Sequence, residues 1–379
     1  MREKMISMLM AVMLLCCLTA PEPVMAKVKE KAYKASETRG MEEGNGCRNI
    51  QQLGKTESAF YLWEQKESTG KWNYKFRLYT YFLKGSKLKR RKTIVGKKDN
   101  GEQQKVLQKI NEFSLGDGCF DSKGKYLYIP DSDFGNKISL YRFSLTKDKV
   151  KRINLSKNKY IKSLTKSSGS PNHMKCYYIS KNRIGLRIER HEKTYSETIG
   201  YRVLIYNTKK NRIEKKYDCD FQVEGMSQKY IYGMDMESTS NSAYNHLTRK
   251  LCYRRMKKGA KEVQVVIENP EFEYGHLDHP DDEGFLPHRE NCNRVTLRGN
   301  KLYYITINGL YSYHMQTKKN ICILSAKDSK YMKKYLPGYV HAMMVNKKGD
   351  IYLLCAWDWY SRFKVIKVRG EVKKRSKKF

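Results

Sequence analysis

Glycine and proline are scarce in this 379-residue chain, with 25 and 8 residues, and there is no Gly-X-Y repeat. That scarcity excludes a collagen-like protein and a long low-complexity linker. Acidic residues are also few, 39 against 76 lysines and arginines, so the formal net charge is +37. The 40% hydrophobic and 12% aromatic content excludes a disordered polycation, because such chains lack the apolar residues that offset the entropy of ordering.

The sequence motifs of common enzymes and metal sites are also absent. There is no Cys-x-x-Cys pair, no His-Glu-x-x-His, no EF-hand spacing, no Gly-x-Ser-x-Gly and no phosphate-binding glycine loop. These absences give no support to a zinc ribbon, a zinc protease, a serine hydrolase or a nucleotide-binding enzyme. We therefore expect binding rather than catalysis and no cofactor, apart from the divalent metal discussed below.

The N-terminus has the pattern of an export signal. A basic start, with Arg2 and Lys4, precedes the uncharged run 5–20, and small residues occupy positions −3 and −1 before a cleavage point after Ala26. Sixteen residues make about 24 Å of helix, which is shorter than the roughly 30 Å hydrocarbon layer. We predict that residues 1–26 are a cleaved signal peptide, so that the mature chain is secreted or attached to the cell surface and has no transmembrane helix.

Two alternatives to a cleaved signal remain at this stage, an uncleaved N-terminal anchor and a lipoprotein modified at Cys16 or Cys17. The mature chain keeps eight cysteines, which permits up to four disulfides in an exported protein. Their wide spacing and their position inside apolar strand runs favour mostly unpaired thiols in the core. These cysteines are Cys47, Cys119, Cys176, Cys219, Cys252, Cys292, Cys322 and Cys355.

Short runs of alternating apolar and polar residues recur along the mature chain and predict β-hairpins. In each unit an inner strand, aromatic and aliphatic, precedes a second strand rich in leucine and tyrosine. A basic turn and a short outer strand often follow, and a preceding strand is visible too, as at 175–179 and 294–297. The clearest pairs are 125–129 with 138–143, 301–305 with 309–313, and 350–354 with 362–366. The second-strand markers Tyr79, Tyr141, Tyr206, Tyr253, Tyr311 and Val365 are 62, 65, 47, 58 and 54 residues apart.

Four strands per 40–60 residues are typical of a β-propeller, and the pattern resembles the divergent propellers of secreted bacterial proteins, loosely of the TolB type. We predict an all-β propeller of six blades, with seven blades or a β-sandwich pair as alternatives. The predicted propeller spans residues 58–368 and a basic tail spans 369–379. The segment 27–57 is available to close the ring, and we expect the closing strand around Cys47–Leu53.

Basic residues are concentrated after the first hairpin, where Arg90 and Arg91 lie, and in the C-terminal tail. In an exported protein such residues indicate an anionic cell-envelope polymer as partner rather than nucleic acid. The alternative is that solvated lysines protect strand edges from aggregation.

One acidic segment, residues 268–292, interrupts the basic trend and contains three of the eight histidines. Imidazole and carboxylate groups can hold a divalent metal, so the candidate metal ligands are His276, His279, Asp281 and Asp282. The alternative is an exposed loop whose carboxylates relieve repulsion between lysines. Aromatic side chains at Trp357, Trp359 and Tyr360 are candidates for ligand stacking, with hairpin packing as the alternative.

From these observations we expect an exported, non-catalytic binding or scaffold propeller that contacts an anionic envelope polymer or a protein partner. The alternative is a propeller hydrolase or lyase acting on an acidic polysaccharide or a phosphate ester, with acid–base or metal chemistry in the 276–288 loop.

Overall fold

The structure, a computed structural model, describes residues 30–34, 47–53, 57–67, 74–84, 87–90, 95–96, 98–107, 109, 117–132, 138–162, 164, 174–191, 198–234, 249–256, 264–269, 295–306, 309–325, 329, 340–355 and 364–368. Within these residues the chain forms 24 β-strands and two short helices, α1 (Glu102–Leu107) and α2 (Lys159–Lys162). The prediction of an all-β protein is therefore confirmed.

The strands of this described part associate as six four-stranded antiparallel sheets. Sheet 1 contains β2 (Cys47–Leu53), β3 (Glu57–Glu67), β4 (Tyr74–Lys84) and β5 (Lys87–Arg90). Sheet 2 contains β6 (Cys119–Phe120), β7 (Tyr126–Ser132), β8 (Ile138–Ser144) and β9 (Val150–Asn154). Sheet 3 contains β10 (Met174–Ser180), β11 (Arg183–His191), β12 (Thr198–Asn207) and β13 (Arg212–Cys219).

The remaining three sheets follow the same plan. Sheet 4 contains β14 (Gln222–Met226), β15 (Tyr230–Met234), β16 (Arg249–Arg255) and β17 (Gln264–Asn269). Sheet 5 contains β18 (Val295–Arg298), β19 (Lys301–Thr306), β20 (Gly309–His314) and β21 (Lys319–Ser325). Sheet 6 contains β22 (Val340–Val345), β23 (Ile351–Cys355), β24 (Lys364–Val368) and, as its fourth strand, β1 (Glu30–Lys34).

The first strands of the sheets form a closed ring. Each contacts the first strands of its two neighbours, in the order β2, β6, β10, β14, β18, β22 and back to β2. Between sheets 2 and 3 the backbone of Asp117 runs parallel to β10 and bonds to it twice. The Asp117 N–H donates to the Met174 carbonyl at 3.0 Å, and the Asp117 carbonyl accepts from the Cys176 N–H at 2.6 Å. A closed cycle of small sheets is a β-propeller, with one described sheet for each of the six blades that the marker spacing predicts.

The predicted segment 27–57 does supply the closing strand, but not at the predicted position. The closing strand is Glu30–Lys34, which pairs antiparallel with β24 from Glu30–Val368 to Lys34–Lys364, whereas Cys47–Leu53 is the innermost strand of sheet 1. The fold therefore begins before residue 58. The strand preceding 125–129 is the two-residue β6, which makes 125–129 the second strand of its sheet. Strands this short carry too little alternation to be recognised.

Apolar side chains fill the spaces between neighbouring sheets. Between sheets 2 and 3, for example, Leu140 and Ile138 pack in one cluster with Leu186 and Leu204, and all four are at most 1% exposed. Similar clusters join sheets 3 and 4 and sheets 5 and 6. Because burying one such side chain contributes about 1.5–3 kcal/mol, these interfaces supply the main stabilising energy of the ring.

Helix α1 fixes the long connection between sheets 1 and 2 against sheet 2. The buried side-chain amide of Gln103 donates to the carbonyl of Ser144 at 2.7 Å and to those of Lys147 and Lys149. The Asp148 carboxylate accepts from the backbone N–H groups of Glu102 and Gln103, at 3.1 and 3.0 Å. Those N–H groups have no partner within the helix, so this contact satisfies them and orients the connection.

Candidate functional site

The described hairpin turns lie on one side of the ring. A four-stranded antiparallel meander returns the chain to the side from which it entered, so successive sheets are entered from the same side and every turn between strands one and two, or three and four, faces the opposite way. The parallel bridge between Asp117 and Lys175 records this alignment for sheets 2 and 3. We call this side the hairpin face and define it by the turns at residues 121–125, 145–149, 181–182, 208–211, 227–229, 299–300, 315–318 and 346–350. The opposite side, which includes residues 155–162, is the connection face.

Small polar side chains stabilise these turns by accepting hydrogen bonds from backbone N–H groups within the turn. Asn207 Oδ1 accepts hydrogen bonds from the backbone N–H groups of Lys209 and Lys210, at 3.0 and 2.8 Å. Asn346 Oδ1 accepts from Lys348 N–H and Asp350 N–H in the same way, at 2.8 and 2.9 Å. Such side chains mimic a backbone turn. The lysine backbone is held in place, and the lysine side chains project from the turn into solvent.

Other hairpins use the same device with different residues. Asp121 Oδ1 accepts from the backbone N–H groups of Lys125 and Tyr126, at 2.6 and 3.0 Å. Ser227 Oγ accepts from Lys229 N–H and Tyr230 N–H, at 3.3 and 3.0 Å. The result is again an exposed lysine at the turn.

The hairpin face is strongly basic. Fifteen exposed basic side chains lie in or next to its turns in the described residues, against three carboxylates, those of Asp121, Asp148 and Asp350. The basic residues are Lys123, Lys125, Lys147, Lys149, Lys181, Arg183, Lys209, Lys210, Arg212, Lys229, Arg298, Lys318, Lys319, Lys347 and Lys348. Asp121 and Asp148 accept backbone N–H groups, as described above, and Asp350 pairs with Lys367 at 3.0 Å.

One further carboxylate approaches this face from within β13. Glu214 accepts a hydrogen bond from Arg183 Nε at 2.8 Å and from Asn207 Nδ2 at 2.8 Å. The hydrogen bond from Arg183 is the main cause that lowers the pKa of Glu214 below its ordinary value. Lys210 lies 3.8 Å from the same carboxylate. Even with this neutralisation, like charges dominate the face and create a positive potential that attracts polyanions.

A small polar cavity lies where four first strands meet near the axis. It has a volume of about 150 Å³ and is lined by Tyr177, Glu224, Tyr232, Thr296 and Met343 among others. Gln222 Nε2 donates to Glu224 Oε1 at 2.8 Å, and burial raises the pKa of both Tyr177 and Tyr232. Since one water occupies about 30 Å³ of liquid, this space suits a few ordered waters rather than a sugar unit.

A buried charged network joins sheets 3 and 4 beside that cavity. Arg187, 1% exposed, donates from Nη2 to Glu189 Oε1 at 3.4 Å and from Nη1 to the Val223 carbonyl at 3.3 Å. Its guanidinium lies 4.7 Å from the centre of the Tyr201 ring, and Tyr177 Oη donates to the same Val223 carbonyl at 2.9 Å. The network orients two neighbouring blades.

The site residues predicted from sequence fall almost entirely outside the described residues. This applies to His276, His279, Asp281 and Asp282, and to Arg91, Trp357, Trp359 and Tyr360. Arg90 is the last residue of β5 and pairs opposite Tyr81 in sheet 1. No group of three His, Cys, Asp or Glu side chains suited to a metal ion occurs in the part of the chain that the structure describes.

The sequence indicates that basic turns follow many strands, but it does not show that these turns share one face. The deciding information is topological, because each sheet has an even number of strands. The sharpest local signal is an asparagine followed by two lysines within three residues, as at 207–210 and 346–348.

Comparison with known proteins gives similarity in solved structures alone. No protein-family model matches the chain, and no curated protein matches it. The β-propeller domain of the Trilobed protease from Pyrococcus furiosus is 8% identical, with a TM-score of 0.43 over 83% of this chain and 78% of that one. A luciferin-regenerating enzyme is 8% identical, with a TM-score of 0.40 over 86% of this chain and 91% of that one.

TolB from Acinetobacter baumannii is a third similar structure, 13% identical, with a TM-score of 0.33 over 72% of this chain and 53% of that one. At such identities and scores these similarities carry no information on activity, and the fold assignment rests on the sheet topology described above. The chain is thus a divergent β-propeller. Among the described residues, none of the helices is long and apolar enough to span a membrane.

Proposed function

We propose that this chain is an exported, non-catalytic binding propeller that holds an anionic polymer of the cell envelope against its hairpin face. The observation that carries the proposal is the common orientation of the described hairpin turns, which brings fifteen exposed basic side chains to one side of the ring. Spread over several blades, these charges match a partner whose negative groups repeat along its length.

The composition of the face favours a polymer over a protein partner. Twelve of the fifteen basic residues are lysines, and lysine is depleted in the centres of protein–protein interfaces, where aromatic residues and arginine are enriched. Lysine ammonium groups are mobile, well-hydrated point charges, whereas arginine provides fixed bidentate contacts. A lysine-rich face therefore suits a flexible polyanion bound without a fixed register.

The location of the protein limits which polyanions are available. The N-terminal pattern described above predicts export, and outside the cytoplasm the abundant polyanions are phosphate-rich or acidic envelope polymers rather than nucleic acids. We choose the phosphate-rich class as the first probe because charge-assisted contacts from lysine to phosphate are strong.

The cavities of the described residues do not favour the enzymatic alternative. The axial cavity of about 150 Å³ and a second cavity of about 270 Å³ between sheets 3 and 4, lined by Arg183, Glu214 and Tyr217, are below the roughly 300–1,000 Å³ of pockets that enclose drug-sized ligands. A hydrolase or lyase would depend on the 276–288 loop, which lies outside the described residues.

The proposal is tested by binding of the exported protein to immobilised poly(glycerol phosphate) across a salt series. A hairpin-face variant, Lys209→Gln/Lys347→Gln/Lys348→Gln, is compared with a connection-face variant, Lys157→Gln/Lys159→Gln/Lys162→Gln, which removes the same charge. All six lysines are exposed. We expect the hairpin-face variant to reduce the slope of log affinity against log salt by up to about 3, since each phosphate contact contributes roughly one, and the control to leave the slope nearly unchanged.

Equal losses in the two variants would show that overall charge, not the hairpin face, drives binding, and would overturn the proposed site. No binding of the unmodified protein even at low salt would overturn the polymer and make a protein partner the leading candidate. Binding to vesicles containing anionic lipid, without binding to the polymer, would also contradict the proposal.

A further inference from the structure

Two cysteines of neighbouring blades meet near the axis of the ring. Cys119 lies in β6, the first strand of sheet 2, and Cys176 lies in β10, the first strand of sheet 3. Their Sγ atoms are 2.8 Å apart, and the two residues are 0% and 1% exposed. Non-bonded carbon atoms rest at about 3.5–4.0 Å, so the two larger sulfur atoms are already closer than ordinary packing would hold them.

The backbones that carry the two thiols are neighbours, with Asp117, two residues before Cys119, bonded to the strand of Cys176. Hydrogen bonds from Asp117 N–H to Met174 O and from Cys176 N–H to Asp117 O place the two strands side by side at this point. Neighbouring strands are about 4.8 Å apart, within or close to the roughly 4.4–6.8 Å between the Cα atoms of bonded cysteines. Forming the bond, which is about 2.05 Å long, needs less than 1 Å of further sulfur approach.

We propose that Cys119 and Cys176 are a modification site at which the exported protein acquires a disulfide between blades 2 and 3. The oxidant is a disulfide of a protein or small molecule in the oxidising compartment. One cysteine thiolate attacks that disulfide and forms a mixed disulfide, and the second thiolate then displaces the donor. The two thiol protons and two electrons pass to the donor, whose disulfide becomes two thiols.

The disulfide forms during folding rather than in the folded protein. Burial raises the pKa of the Cys119 thiol well above its ordinary value, and the neighbouring Cys176 adds to that effect. The thiolate is the reacting form, so the folded ring presents very little of it. The bond therefore forms while blades 2 and 3 come together, before their packing buries the thiols, and the same burial afterwards protects it from reductants.

The cross-link encloses one complete blade. The two cysteines are 57 residues apart in sequence, and all four strands of sheet 2 lie between the first cysteine and the start of sheet 3. The sequence predicts mostly unpaired thiols in the core, and the proposal departs from that prediction only for Cys119 and Cys176. The proposal rests on the export that the proposed function also assumes, but the site is buried and separate from the hairpin-face lysines, so loss of polymer binding and absence of the disulfide are distinguishable results.

The test counts free thiols in the exported protein. Protein isolated without reductant is denatured in the presence of an alkylating agent, and the number of alkyl groups is measured by mass spectrometry. If the bond is present, Cys119→Ala and Cys176→Ala each add one alkyl group relative to the unmodified protein, because each frees the partner thiol. The double variant returns to the original number.

Peptide mapping of the unmodified protein is the second measurement and does not depend on the folding of a variant. We expect a peptide pair joined through Cys119 and Cys176, which separates after reduction. Alkylation of both residues in the unmodified, non-reduced protein would overturn the proposal. So would single variants that each lose one alkyl group and a double variant that loses two.

Discussion

The side-chain amide of Gln51 forms two reciprocal hydrogen bonds with the backbone of Phe120. Its Nε2 donates to the Phe120 carbonyl and its Oε1 accepts from the Phe120 N–H, both at 2.9 Å. Gln51 is 7% exposed and Phe120 is fully buried. One glutamine side chain thus satisfies both backbone polar groups of a residue in the next blade. In a continuous sheet a neighbouring strand would form these two hydrogen bonds.

We expect Gln51→Met to lower the free energy of unfolding by about 2–3 kcal/mol, because it leaves a buried donor and a buried acceptor without hydrogen bonds. Chemical denaturation monitored by tyrosine or tryptophan fluorescence measures the change. Gln316→Met, at an exposed turn position, is the control and should change stability by less than about 0.5 kcal/mol. Equal effects from both variants would contradict this role for Gln51.

The buried ion pair between Arg187 and Glu189 should be costly to break from one side. We expect Arg187→Met to destabilise the protein by about 3–5 kcal/mol, because the Glu189 carboxylate then stays buried without the guanidinium. Replacing both residues, with Arg187→Met and Glu189→Leu, should recover part of that loss, since no buried charge remains. A double variant less stable than either single variant would rule out this explanation.

Stability at low pH should depend on Asp218. Burial alone raises the pKa of Asp218, but hydrogen bonds from Arg202 and Lys216 outweigh it and lower that pKa below its ordinary value. Arg202 Nε lies 2.7 Å from Asp218 Oδ1. Because the folded-state pKa is lowered, this contribution is fully present above the unfolded pKa of about 3.9 and is lost as the pH falls through the folded-state value.

We therefore expect Asp218→Asn to flatten the fall in stability below about pH 4 and to lower stability at neutral pH. Urea denaturation at a series of pH values measures both effects. Asp220→Asn removes an exposed carboxylate two residues away and is the control. A pH profile of Asp218→Asn that runs parallel to the unmodified protein would contradict the assignment.

Substitutions at two glycines should distinguish the cost of backbone strain alone from the cost of strain combined with a steric clash. Gly309 has φ +147°, and a Cβ placed there would collide with the Leu324 carbonyl of the paired strand. Gly349 has φ +83° in an open turn, with no atom near the position of a Cβ. We expect Gly349→Ala to cost about 1 kcal/mol and Gly309→Ala to cost at least about 3 kcal/mol, as strain and a displaced strand add. Thermal unfolding of both variants checks the order.

The long strands could be predicted from sequence because each carries its own alternation. The pair β7 and β8, expected at 125–129 and 138–143, lies at Tyr126–Ser132 and Ile138–Ser144. Strand β6, with two residues, and the charged strand β1 carry no such pattern and owe their conformation to neighbours that are distant in sequence. The basic turns could also be predicted from sequence. That they share one face follows only from the even number of strands in every sheet.

The cysteine contact could not be predicted from sequence for a related reason. Neither the spacing of 57 residues nor the composition near Cys119 and Cys176 distinguishes this pair from the other cysteines. Their proximity follows from two first strands being neighbours in the ring. Likewise, Gln51 has no motif around it, and its role appears only when β2 lies beside β6.

The pairing of β1 with β24 means that the ring cannot close until residues 364–368 have been made. Glu30 enters the last sheet opposite Val368, so the first strand to leave the ribosome or the export channel must wait for the last. Contacts between such distant parts of a sequence slow folding. A circularly permuted chain, whose new ends lie in a turn of the hairpin face, would have β1 and β24 joined at synthesis and should complete the ring sooner.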